Sequence, residues 1–270
     1  MITAAIKNPV PGLQEENNLK LSIITVCRNS EALIERTIRS VVSQDYPHIE
    51  YIIIDGESTD STLDIIRQYR NNIDVFVSEK DSGIYDAMNK GLAHATGDLI
   101  YFLNSGDYLA SDHAMSDVIR EIERCPDYDI FTGDVMYYDE VSAERRSGKR
   151  KTPIDVMARV ICHQAIIARR EVFERYGGFE ARYWIYADYD WLLRAVLDKD
   201  VRMNYTGVLL TYYLKAGKSD RVWKKYLSER GEILRKHATP GRMAAYILHY
   251  PGDGLRYIVS RFKGLFIREP

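Results

Sequence analysis

Short apolar runs alternate with amphipathic segments through the first hundred residues. Residues 21–27 (LSIITVC), 51–55 (YIIID), 73–78 and 97–103 are brief and rich in β-branched and aromatic side chains. Runs of that length and composition predict strands buried on both faces. Between them, residues 31–43 carry Leu33, Ile34, Ile38, Val41 and Val42 on one helical face. Ser30 stands where an N-cap is expected, and Tyr46-Pro47 follows the end. Residues 61–69 and 84–95 predict two more helices. Strand and helix alternating at this spacing imply parallel pairing with right-handed crossovers, hence an α/β fold.

Beyond residue 110 the pattern loosens. Residues 111–124 predict a helix, 129–138 a strand and the charged stretch 139–152 a mobile loop. Residues 161–168 predict a strand carrying His163-Gln164. A helix over 170–176 closes at Gly177-Gly178, and another over 187–197 turns Trp191, Leu192, Ala195 and Val196 inward. Residues 201–213 predict a β-hairpin around Gly207. This divides the chain into a polar arm (1–19), a body (20–215, with halves meeting near residue 110) and a helical extension (216–270).

The stretch Gly97-Asp98-Leu99-Ile100-Tyr101-Phe102-Leu103-Asn104-Ser105-Gly106-Asp107 organises the rest. It is a buried strand that releases polar residues at its carboxyl end, where open α/β sheets bind ligands. Asp55 and Asp81 also stand at or just after strand ends, so the topology brings them to the same edge as Asn104 and Asp107.

Charge adds an asymmetry that the net value of −2 hides. Residues 1–214 hold 24 Lys+Arg against 34 Asp+Glu, and residues 215–270 hold 13 against 5. Leu255, Ile258, Val259, Phe262, Leu265 and Phe266 follow helical spacing among Arg256, Arg261 and Lys263. That pattern suits either an amphipathic helix lying on an anionic leaflet or a helix packed on the body. The acidic body opposes a nucleic-acid partner. Cys27, Cys125 and Cys162 match no metal or disulfide spacing, which suggests reduced thiols. No run is long enough to span a membrane and the start lacks a signal-peptide pattern, so the expected location is cytoplasmic, with peripheral contact at the inner membrane face.

The chain has no G-x-G-x-x-G after a strand, no P-loop, no G-x-S-x-G and no H-E-x-x-H. What remains is a set of carboxylates after strands, and their order is specific. The chain resembles a family 2 glycosyltransferase with the GT-A fold: a Rossmann-like, mostly parallel sheet flanked by helices. LSIITVCRN resembles the opening nucleotide-binding strand, and YIIIDGESTDST the second-strand turn. EKDSGIYDAMNKGLAHATGDLIYFLNSGD resembles the donor-site core up to the metal motif. Ala187-Asp188-Tyr189-Asp190-Trp191 resembles the acceptor-side motif that supplies the base.

The resemblance implies inverting transfer of a sugar from a UDP- or GDP-sugar to an acceptor hydroxyl on a glycan or lipid-linked molecule, as in bacterial polysaccharide biosynthesis. Val26, Arg28, Asp55, Asp81, Asn104 and Asp107 become donor contacts, and Asp188 the general base. His163, Gln164 and Asp190 fall on the acceptor side, Asp190 facing either an acceptor hydroxyl or a basic partner. Asp60 reads as a helix cap. The metal motif departs from the family's Asp-x-Asp: here it is Asn104-Ser105-Gly106-Asp107, with glycine at the usual ligand position. Asp107 is then the one carboxylate left to hold Mn²⁺ or Mg²⁺ on the diphosphate. Lys215 or Lys218 is the alternative counter-charge. A non-catalytic sugar-nucleotide binder and a sugar nucleotidyltransferase are the competing functions. The latter lacks its glycine-rich loop after the first strand.

Overall fold

The computed structural model describes residues 19–150, 152–215, 223–237 and 239–252. The arm before Leu19, Lys218 and the stretch 255–266 lie outside the described residues.

Four parallel strands make the first half: β1 (Leu21–Cys27), β2 (Ile49–Asp55), β3 (Val75–Ser78) and β4 (Leu99–Phe102). Between them run α1 (Ile34–Val42), α2 (Thr62–Gln68) and α3 (Ile84–His94). The second half adds β5 (Tyr108–Leu109), α4 (Ala114–Glu123), β6 (Ile130–Tyr138), β7 (Ala143–Ser147) and α5 (Pro153–Ala158). Then come β8 (Ile166–Arg169), α6 (Arg170–Tyr176), α7 (Ala187–Val196), β9 (Met203–Leu214), α8 (Trp223–His237) and α9 (Pro240–His249).

The described strands form one sheet in the order β3-β2-β1-β4-β8-β6-β9-β5, with β7 on β6. β8 runs antiparallel to both β4 and β6, so β6 points the same way as β4. The carboxyl ends of β1, β2, β3, β4 and β6 therefore share one edge. An apolar core covers each face, one under α3, α6 and α7 and the other under α1 and α4. Helix α3 sits tightly on the sheet because position 91 is glycine. A Cβ there would fall 2.3 Å from Ile24 Cγ2.

Four local expectations are corrected. Helix α1 starts later than residue 31, and the Ser30 side chain does not cap it. The Ser30 carbonyl accepts from Leu33 and Ile34 N–H, while its hydroxyl donates to Arg28 O. The charged stretch after residue 139 contains β7, a wholly exposed edge strand on β6 that has no apolar face to reveal it. Residues 163–165 form a 3₁₀ turn ahead of β8 rather than extending it. Residues 203–214 form one strand parallel to β6, with the register slipping near Gly207 (φ +75°). Glycine marked a bulge here, not a hairpin turn.

The extension packs on the body as far as it is described. Ile233, Leu234 and Tyr246 are buried, α8 touches α7, and α9 touches α5. Among the described residues no helix is long and apolar enough to cross a membrane. The three cysteines are free.

Candidate active site

At the end of β2, Asp55 is fully buried. Its carboxylate accepts from Ser58 N (2.9 Å), Ser78 Oγ (2.7 Å), Cys27 Sγ (3.6 Å) and the Ser58 hydroxyl. Burial, with Asp55 alongside, pushes the Cys27 thiol far up, so it stays protonated and donates. Asp55 thus holds the 55–58 turn and is not presented to a nucleotide, which corrects the expectation for it. Val26 is corrected likewise: its side chain lies in the core, and its carbonyl accepts from Ser105 N (3.1 Å).

Beyond the ends of β1, β2 and β3, Arg28, Gly56 and Asp81 lie together. Asp81 Oδ1 accepts from Gly83 N (3.0 Å). Its other oxygen occupies the space a side chain at 56 would take: a Cβ there would meet Asp81 Oδ2 at 2.1 Å and Arg28 Cδ at 3.3 Å. Glycine at position 56 therefore makes room for Asp81. Arg28 is exposed and has no ion pair among the described residues. Asp60 accepts from Thr62 N (3.0 Å) and Glu31 N (3.2 Å), tying the starts of α1 and α2 together. Asn89 on α3 exchanges two 2.8 Å hydrogen bonds with the Phe179 backbone.

The Asn104–Asp107 loop is pinned from both sides. Thr37, buried on α1, accepts from Gly106 N (3.1 Å) and donates to Asp107 O (2.7 Å). Asp107 itself is 5% exposed. Its Oδ2 accepts from Gln164 Nε2 (2.7 Å) and its Oδ1 from Leu214 N (3.1 Å). Burial raises its pKa to about 6 against the pull of those two donors. Gly106 (φ +101°) aims its missing side chain at Leu33 Cδ1, 3.3 Å away.

The donor set does not fit a cation held by the protein. The lone carboxylate is turned inward and committed. Among the described residues no three His, Cys, Asp or Glu side chains converge. The expected role of Asp107 as a metal ligand is corrected on that geometry. Lys215 is corrected too, being bound to Asp139 (3.1 Å) and Ser142 (2.6 Å).

The two halves meet through His163. Its Nε2 lies 2.8 Å from Asn104 Nδ2, and its Nδ1 lies 3.2 Å from Asp188 Oδ2. With Asn104 donating, the imidazole carries its proton on Nδ1 and donates it to Asp188. The Asp188 carboxylate also accepts from His163 N (3.2 Å) and Tyr189 N (2.8 Å), and Tyr85 Oη lies 3.1 Å away. Burial, with Asp188 beside it, pushes the Tyr85 phenol well up, so it remains a donor. Three buried oxygen atoms here, Asn104 Oδ1, Ser105 Oγ and Gln164 Oε1, meet no partner among the described residues. Unpaired buried acceptors are costly, and a hydroxyl-bearing ligand or water would satisfy them.

Asp190 is not at this site. It is fully buried between Arg194 Nε (3.1 Å), Lys236 Nζ (3.0 Å) and His237 Nε2 (2.8 Å). Burial alone would raise its pKa; the hydrogen bonds from His237 and Lys236 outweigh that and lower it. The expected acceptor contact is corrected: Asp190 meets the basic partners instead. Sequence reasoning missed Thr37, Tyr85 and Glu229. Thr37 had a signal, being a hydroxyl on the apolar face of a predicted helix.

The sheet thus gathers Arg28, Asp81, Asn104 and the His163–Asp188 pair at its carboxyl edge, where open α/β sheets bind their ligands. The family model for glycosyl transferase family 2 matches residues 22–184. The chain belongs to that family and is a glycosyltransferase, which sets aside the binder and nucleotidyltransferase alternatives.

A PGL/p-HBAD biosynthesis glycosyltransferase of Mycobacterium bovis (strain BCG / Pasteur 1173P2) is 31% identical over 199 residues, covering 73% of this chain and 77% of that protein. The putative teichuronic acid biosynthesis glycosyltransferase TuaG of Bacillus subtilis (strain 168) is 42% identical over 95 residues, 34% of this chain and 38% of its own. Among solved structures, S. aureus TarS 1-349 with UDP-GlcNAc superposes with a TM-score of 0.66 at 20% identity, covering 81% of this chain and 71% of that one. The present chain spans 43% of another TarS chain in a solved crystal structure. The mannosyltransferase PcManGT of Pyrobaculum calidifontis, with GDP-Man and Mn²⁺, gives 0.64 at 16% identity over 93% and 76% of the two chains. These likenesses establish the GT-A fold.

Proposed function

We propose that the protein is an inverting glycosyltransferase that moves a sugar from a UDP- or GDP-sugar to a hydroxyl of a glycan or lipid-linked acceptor. The observation that carries this reading is the chain Asn104–His163–Asp188, which spans from the donor loop to a buried carboxylate in two hydrogen bonds. The nucleoside lies against Arg28 and Asp81, where the Asp81 carboxylate accepts from its N–H or hydroxyl groups. Arg28 meets the negative charge that grows on the leaving diphosphate. The unpaired oxygens of Asn104 and Ser105 accept from sugar hydroxyls.

Asp188 takes the proton of the acceptor hydroxyl as that oxygen bonds to the anomeric carbon from the face opposite the diphosphate. The backbone donors Tyr189 N and His163 N keep the carboxylate aimed. The His163 ring is the one contact on Oδ2 that a side-chain rotation removes, and its departure clears a lone pair for the acceptor. Relatives named for PGL/p-HBAD and teichuronic acid biosynthesis support an acceptor of the surface-glycan or lipid-linked class.

Nucleotide release from UDP- and GDP-sugars, assayed with lipid-linked acceptors, tests the reading. Asp188→Asn is expected to lower kcat by about 10²- to 10⁴-fold while calorimetric donor binding persists. Turnover surviving in that variant would overturn the assignment.

A further inference from the structure

The tail helix reaches the base-bearing helix at two points. Glu229, on α8, is 7% exposed and lies against the segment just ahead of α7. Its Oε1 accepts from Trp184 N (2.9 Å), and its Oε2 from Ile185 N (2.9 Å) and Tyr186 N (3.3 Å). Three consecutive backbone donors therefore converge on one carboxylate. The N-terminus of α7 begins at the next residue, and Asp188 is its second residue. About two turns further along α8, Lys236 and His237 bind Asp190 on α7. From the opposite side, the Tyr85 hydroxyl donates to Ile185 O (2.5 Å). The 184–186 segment is thus held between the donor half and the tail.

We propose that Glu229 is a positioning residue for the Asp188 carboxylate, and that α8 is accordingly part of the catalytic unit rather than an appended tail. The proposal rests on Asp188 acting as the base. The physical reason is economical. The first N–H groups of a helix have no partner within the helix, and the segment before them has none in a sheet. A buried carboxylate satisfies three such donors at once and favours the positive end of the α7 dipole. Without it, the N–H groups of residues 184–186 lose the one carboxylate that gathers all three. Asp188, one residue into the helix, would then sample orientations off the line to the acceptor. A small misplacement of a reacting group is costly to rate while leaving donor binding alone.

The test compares Glu229→Gln and Glu229→Ala with the native full-length chain. Glutamine keeps one acceptor oxygen and alanine none. Amide hydrogen exchange by mass spectrometry needs no substrate: peptides covering 184–192 should exchange faster in both variants, more so in alanine, with β1–β4 unchanged. For turnover with a UDP- or GDP-sugar, kcat should fall by about a hundredfold in Glu229→Ala and less in Glu229→Gln, with the donor KM within about twofold of native. A merely structural role would lower the melting temperature and leave kcat per folded molecule intact; that result overturns the proposal. Unchanged exchange at 184–192 overturns it as well. Asp188→Asn is run in parallel. If that variant stays active, the transfer role of Asp188 falls and this proposal falls with it. If it is inactive while Glu229→Ala keeps its full kcat, only the positioning role of Glu229 is lost.

Discussion

Replacing Asp107 by asparagine removes a charge that the fold buries at a cost. The carboxylate is 5% exposed, and burial lifts its pKa from an ordinary 3.8 to about 6. A folded-state value above the unfolded one means that the protonated form is favoured by folding. The associated stability is present in full below pH 3.8 and is lost as pH rises through 6. At about 1.4 kcal/mol per pH unit, the ionised carboxylate costs roughly 3 kcal/mol at neutral pH. Asparagine has nearly the same shape and can keep both hydrogen bonds. Its oxygen accepts from Leu214 N, and with the Gln164 amide turned over, so that Oε1 replaces Nε2 against residue 107, its own amide donates to Gln164 Oε1. Urea unfolding of both proteins from pH 4 to pH 8 checks this. The variant should match the native chain at pH 4 and gain stability up to pH 6. Above that it should hold a constant advantage of about 3 kcal/mol. The titrations of all other groups cancel in the difference. A difference that does not vary with pH would refute the reasoning.

Gly56→Ala should displace Asp81 Oδ2, which stands 2.1 Å from the added carbon. UDP or GDP binding, measured by calorimetry, is expected to weaken about tenfold, the loss of roughly one charge-assisted hydrogen bond. Unchanged affinity would remove Asp81 from the donor site. Mn²⁺ titrated alone into the full chain should show no binding tighter than about millimolar, since one inward carboxylate makes a poor oxygen cage. Gly106→Asp should not improve it, because that backbone has φ +101° and its side chain would face Leu33. Micromolar Mn²⁺ binding to either protein would show that the loop rearranges.

The α/β class, the strands of the donor half and the edge that carries the chemistry were legible in the sequence. Buried parallel strands are continuous apolar runs, and the topology that follows from them places their ends together. Asp81 and Asn104 were placed at that edge in this way, whereas His163 and Asp188 came from the resemblance of their motifs to the family. Local patterns with no apolar face failed: β7 is exposed throughout, and the bulge at Gly207 looked like a turn. The direction of each carboxylate was decided only by the tertiary structure. Asp55, Asp107 and Asp190 stand at the places the sequence indicated, yet each points inward to donors supplied by segments distant in the chain. Sequence position fixes which edge a residue occupies, because strand order and register follow from hydrophobic pattern. Which partner a buried charge finds depends on the nearest unsatisfied donors in space, and those are settled only once the chain has packed.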